Sequence, residues 1–120
     1  MLKLKMIENE LDDLIIIGAG PVGLFGAFYA GLRGMKTKII DSLPELGGQL
    51  TALYPEKYIF DMPGFPKIMA KELVAQLVQQ AMSYNPTVVL EERCTTLEKV
   101  GDNWKLSTTK GHDHFAKTII

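Results

Sequence analysis

The chain has 120 residues, 47% hydrophobic and 22% charged, the profile of one soluble globular domain able to bury a modest core. Thirteen basic against fourteen acidic residues leave a formal net charge of -1, without the cationic surplus that holds a phosphate backbone by counterion release, so nucleic acid is not an expected partner. Cys94 is the only cysteine; no internal disulfide and no Cys-x-x-Cys redox pair can form, as suits a reducing cytoplasm.

Residues 1–12 read as a leader into a domain over 13–120, since they have neither the continuous apolar stretch nor the small-residue cleavage site of a signal peptide. The β-branched run at 14–17 predicts a short strand buried on both faces; it is too short to span a bilayer, and no membrane segment is expected. Over 21–33 the large apolar residues Val22, Phe25, Phe28, Tyr29 and Leu32 recur at three and four, predicting a helix that packs through them and stops at Gly34. A second strand is expected at 38–41. The stretch 42–66 then carries Pro44, Gly47, Gly48, Pro55, Pro63, Gly64 and Pro66, and is too long to be a passive connection, which marks it as functional.

Helical spacing returns at 69–82 through Met69, Leu73, Val74, Leu77, Val78 and Ala81, and Asn85-Pro86 ends it. A third strand at 87–90 is followed by three alternating segments at 95–100, 104–109 and 114–120, separated by Gly101-Asp102-Asn103 and Lys110-Gly111, which predict an antiparallel meander. The final Thr118-Ile119-Ile120 reads as a strand entering the core with no turn or polar tail behind it. The chain is therefore expected to be the N-terminal part of something longer, with its last strand an exposed edge open to aggregation or to pairing as a homodimer.

The chemistry is concentrated in Gly18-Ala19-Gly20-Pro21-Val22-Gly23, a G-x-G-x-x-G directly after a strand and directly before a helix. Gly18 serves the tight turn, Gly20 admits a pyrophosphate, and Gly23 lets helix and strand pack closely, with the helix N-terminus facing the negative charge. Pro21 fits the first helical turn, where N–H groups lack intrahelical partners. Asp41, about 18 positions beyond Gly23, stands where such a unit places the carboxylate that accepts from the adenosine ribose and repels a 2′-phosphate, favouring FAD or NAD over NADP in this site. The same residue could instead cap the turn at Ser42. Gly47-Gly48-Gln49 favours FAD over NAD: two glycines let backbone pass a bulky ligand, and Gln49 adds an amide that donates and accepts. Tyr54 is placed by spacing either on a flavin or in the core. His112 and His114 flank Asp113 with no further ligands nearby, and read as a solvated hairpin end rather than a metal site. Cys94, with no lysine or histidine adjoining it, reads as a small packing residue in a strand.

Three phrases carry a resemblance: 14–25, LIIIGAGPVGLF; 40–57, IDSLPELGGQLTALYPEK; and 64–67, GFPK. Together they resemble the type 2 ferredoxin-NADP reductases, flavoenzymes of the thioredoxin reductase-like group, over the chain from about Asp13 to its end. The resemblance implies a Rossmann-type three-layer α/β domain, truncated, with a parallel sheet and a β-meander. It implies FAD contacts at Val22 in the glycine loop, Asp41 at the ribose, Gln49 and Tyr54 in the long loop, and the backbone of Cys94; Gly18, Gly20, Pro21, Gly23 and Gly48 complete the expected cofactor site. In such an enzyme NADPH, bound by a domain absent from this chain, reduces FAD, which passes electrons to ferredoxin or flavodoxin. No catalytic side chain is expected here, since the flavin carries the chemistry, and the chain alone is expected to be inactive. A thioredoxin reductase-like domain, an NAD-dependent dehydrogenase domain and a non-catalytic fragment of dinucleotide-binding shape are the alternatives.

Overall fold

The computed structural model describes residues 10–120. Most of the leader expected over 1–12 lies outside them, and Leu11 and Asp12 already belong to the first strand. That strand, β1 (Leu11–Ile17), begins earlier than its β-branched run, because Asp12 is buried within it beside Lys38. Helix α1 (Pro21–Leu32) and strand β2 (Thr37–Ile40) follow. The long loop carries a short helix α2 (Gln49–Ala52) and a small antiparallel ladder of β3 (Tyr58–Ile59) with β4 (Ile68–Met69). After α3 (Ala70–Ala81) and one 3-10 turn (Met82–Tyr84) come β5 (Thr87–Val89), β6 (Cys94–Val100), β7 (Asn103–Thr108) and β8 (Asp113–Ile119). No helix among the described residues is long and apolar enough to cross a membrane.

Six strands form one mixed sheet in the order β5-β2-β1-β8-β7-β6. β1 is parallel to β2 and β2 to β5, the parallel arrangement of a Rossmann-type domain. The meander is present but continues the same sheet. β8 pairs antiparallel with β7 on one side and parallel with β1 on the other, with Leu11 opposite Phe115 and Ile15 opposite Ile119. This corrects the expectation of an exposed final strand: β8 is interior, and the edges are β5 and β6.

The packing of α1 also departs from its sequence pattern. Its buried residues are Leu24, Ala27 and Ala30, whereas Val22 is 86% exposed and Phe25, Tyr29 and Leu32 about half exposed. The helix is apolar on every side, and spacing alone picked its largest residues. Close approach decides otherwise, because beside Leu24 the face turned to the sheet is made of glycine and alanine. A Cβ on Gly23 would stand 2.0 Å from the Gly18 carbonyl oxygen. Leu14, Ile16 and Ile39 from the sheet, Leu24, Ala27 and Ala30 from α1, and Ala81 from α3 make the core on the helical side. Helix α3 packs as its spacing predicts, burying Leu73, Val74 and Ala81. On the opposite side Ile15, Ile40, Leu106 and Ala116 form a second cluster that joins the parallel and antiparallel halves of the sheet.

Candidate functional site

The carboxyl ends of β1 and β2 deliver the glycine loop and Asp41 to one place, the crevice where open α/β sheets bind ligands. Gly18 turns the chain with φ +106°, a conformation that suits glycine. Gly20 is the N-cap of α1 and brings no side chain to cap it, so the first-turn N–H groups keep their free direction. A Cβ on Gly20 would meet nothing within 4 Å. Gly23 therefore serves packing, while the absent side chain of Gly20 leaves open space in front of the helix end. Pro21 is the first helical residue, and Val22 projects outward beside it. This end of the helix can receive an anionic group.

Asp41 sits just past β2 and holds the loop together. Its Oδ2 accepts from the Ala19 N–H at 2.7 Å and its Oδ1 from the Leu43 N–H at 2.8 Å. It caps the following turn, as one reading of the sequence had it, and it also ties that turn to the glycine loop. Each carboxylate oxygen retains capacity for a further donor.

Residues 42–52 pack directly on the glycine loop. The Gly47 N–H donates to the Ala19 carbonyl at 2.8 Å, and a Cβ on Gly48 would lie 3.0 Å from the Gly20 Cα. Gly47 and Gly48 both have positive φ. Part of the reason for the paired glycines is thus contact between two segments of the protein, a reason the sequence did not disclose.

Two hollows flank this assembly. The smaller, about 250 Å³, is lined by Gly18, Asp41, Glu92, Arg93 and Cys94 among others. The larger, about 670 Å³, is lined by Pro21, Gln49, Leu50, Tyr54, Lys57 and Asp61 together with apolar residues of the long loop. Tyr54 belongs to this hollow and not to the core: it is half exposed, with the Lys57 ammonium 5.0 Å from its ring centre. Cys94 opens β6 at the smaller hollow. Burial, then the negative charges of Glu92 and Asp41, push its thiol above the ordinary range, which disfavours the thiolate.

Sequence reading missed Glu92, Arg93 and Lys57, which also line these hollows. The acidic pair before Arg93 was the available signal, but nothing in spacing shows that Glu92 is buried. The histidines also differ from expectation. His112 is exposed at the hairpin end, as predicted, but His114 is buried beside Glu92.

No family model matches the chain. It is 60% identical over 114 residues to a protein of Enterococcus faecalis named ferredoxin-NADP reductase, an alignment covering 94% of the chain and 34% of that protein. A ferredoxin-NADP reductase of Thermus thermophilus is 55% identical over 108 residues, covering 90% of the chain and 32% of that protein. The chain is similar to the ferredoxin-NADP reductases. It spans about a third of the length of these curated relatives. Because the match with the ferredoxin-NADP reductases takes in nearly the whole chain, it includes the glycine loop, Asp41, the long loop and Cys94. Among solved structures, thioredoxin reductase of Streptococcus pyogenes superposes with TM-score 0.80 at 27% identity, covering 92% of this chain and 34% of that one. A flavin-containing monooxygenase of Stenotrophomonas maltophilia, with TM-score 0.75 and 20% identity over 91% of this chain and 37% of that one, shares the fold.

Proposed function

We propose that the chain is the FAD-binding part of a flavin-dependent oxidoreductase that moves electrons between NADPH and ferredoxin or flavodoxin. The observation that carries the reading is the position of the glycine loop and the uncapped end of α1 between a small hollow and a larger one. That layout suits an adenosine on the Asp41 side, a pyrophosphate before Gly20, Pro21, Val22 and Gly23, and a large ring system beside Gln49 and Tyr54. Gly18 and Gly48 would shape the passage between them, and the backbone of Cys94 would border the adenosine. The 51–60% identity to proteins named ferredoxin-NADP reductase supports this activity over that of thioredoxin reductase, whose solved relatives stand at 25–28%.

When bound, the flavin supplies hydride acceptance from NADPH and single-electron donation to the partner protein. The chain's own residues bind and orient it, and no side-chain acid or base is required. NADPH would be held by residues outside this chain, so the fragment alone is expected to lack turnover.

The deciding experiment is to incubate the purified chain with FAD, remove free ligand by gel filtration, and record the visible spectrum. A retained flavin band is the expected result. A colourless protein that instead protects NAD, or that binds neither, would replace this reading with a dehydrogenase domain or a non-binding fragment.

A further inference from the structure

Glu92, which lines the smaller hollow, is also the centre of a cluster of buried polar groups where the connection after β5 meets the hairpin of β7 and β8. Glu92 Oε1 accepts from the Thr108 hydroxyl at 2.6 Å and lies 3.0 Å from His112 Nδ1 and 3.7 Å from His114 Nε2. The three side-chain donors all fall within 4.8 Å of one another. Tetrahedral zinc with bonds of about 2.0 to 2.1 Å to nitrogen and oxygen sets its ligands roughly 3.4 Å apart, between the two distances from Glu92 to the histidines. His114 Nε2 is buried, points into this cluster and makes no hydrogen bond. An orphaned nitrogen of this kind costs free energy unless something fills the place before it.

We propose that Glu92, His112 and His114 bind a divalent transition-metal ion of the zinc class, with a water completing the coordination. Two imidazoles and one carboxylate are the donor set such an ion takes, and all three donors must be in their deprotonated state. Burial first, and then the Lys38 charge, hold His114 below its ordinary pKa, so it is neutral at pH 7. Burial would raise the Glu92 carboxyl, but hydrogen bonds from Thr108 and His112 and the charges of both histidines outweigh it, and the carboxylate is kept ionised. Thr108 donates to the same oxygen and fixes the orientation of the carboxylate.

Lys38 stands 3.1 Å from His114 Nδ1 and 3.1 Å from Asp12 Oδ2, an oxygen that has no hydrogen bond of its own. As an ammonium it can only donate, so His114 now carries its proton on Nε2. Metal binding moves that proton to Nδ1, shifts the His112 proton from Nδ1 to the solvent-facing Nε2, and turns Lys38 onto Asp12. The exposure of His112 gives the ion its entry path.

The chain, stripped of metal with a chelator, is titrated with Co²⁺ followed by visible absorption and with Zn²⁺ followed by calorimetry. One ion per chain is expected, with Zn²⁺ displacing Co²⁺ and the thermal midpoint rising with metal and returning with chelator. His112→Ala, at an exposed position, should weaken binding about tenfold or more with an unchanged circular dichroism spectrum. Glu92→Gln should do the same. Absence of saturation at one ion, or equal affinity in His112→Ala, overturns the proposal. The test uses no flavin, so it stands or fails independently of the FAD reading.

Discussion

At the scale of single residues, the glycines of one motif have different work, and substitution separates them. Gly23→Ala drives a Cβ to 2.0 Å from the Gly18 carbonyl and to 3.3 Å from the Ile16 side chain, a clash with backbone that flexible atoms cannot relieve. It should cost about 3 kcal/mol in urea denaturation, the upper end of the usual overpacking range, or prevent folding. Gly20→Ala meets nothing within 4 Å and has an ordinary φ of -76°, so stability should change by no more than about 0.5 kcal/mol. FAD affinity should nevertheless fall about tenfold or more, because the new methyl occupies the approach to the helix end. A Gly20→Ala chain that binds FAD normally would remove that position from the ligand path. Asp41→Ala should weaken FAD binding by about 1 to 3 kcal/mol as a charged acceptor is lost. Titration of flavin fluorescence checks this, and unchanged affinity would leave Asp41 with only its bonds to Ala19 and Leu43. Positions fixed by local rules, such as a glycine before a helix or an aspartate ending a strand, were legible in the sequence. Glu92 was not, because its burial depends on Thr108 and two histidines 16 to 22 positions away.

Among the secondary-structure elements, the parallel strands and α3 followed their patterns, because strand runs and an amphipathic helix each announce a buried side. Helix α1 did not, since a helix apolar all round offers several candidate faces and only its distance from the sheet selects Leu24, Ala27 and Ala30. The two-residue strands β3 and β4 were also invisible, being shorter than any periodicity can register. The meander was legible from its turns, but its partner was not: pairing of β8 with β1 joins segments about a hundred positions apart. That pairing makes a prediction about exchange. Backbone N–H groups from Phe115 to Thr118 should exchange with deuterium as slowly as those of Ile15 and Ile16, since β8 has a neighbour on each side. Exchange at the rate of an unpaired edge would restore the exposed final strand and with it the route to dimers.

For the molecule as a whole, stability should decline toward acid in two stages. His114 is held below its ordinary 6.5 in the folded chain, by burial foremost, so between those two values the unfolded chain holds a proton that the folded chain lacks. Stability is then full above about pH 6.5 and falls as pH drops below it. The Glu92 carboxyl, lowered from 4.5 despite its burial, acts in the same direction, its contribution present above about pH 4.5 and lost below. Urea midpoints measured from pH 8 to pH 4 should be flat and then descend, and His114→Asn should flatten the first descent; an unaltered slope in that variant would assign the loss to other groups. The central position of β8 has a consequence for how the protein is made. As the chain leaves the ribosome, β1 emerges with the glycine loop, yet one flank of that strand stays bare until the residues of β8 follow, after everything between them has been synthesised. The nascent dinucleotide fold must wait with an open strand beside its most important loop, and a slow or stalled ribosome prolongs the interval in which that strand can find a stranger instead.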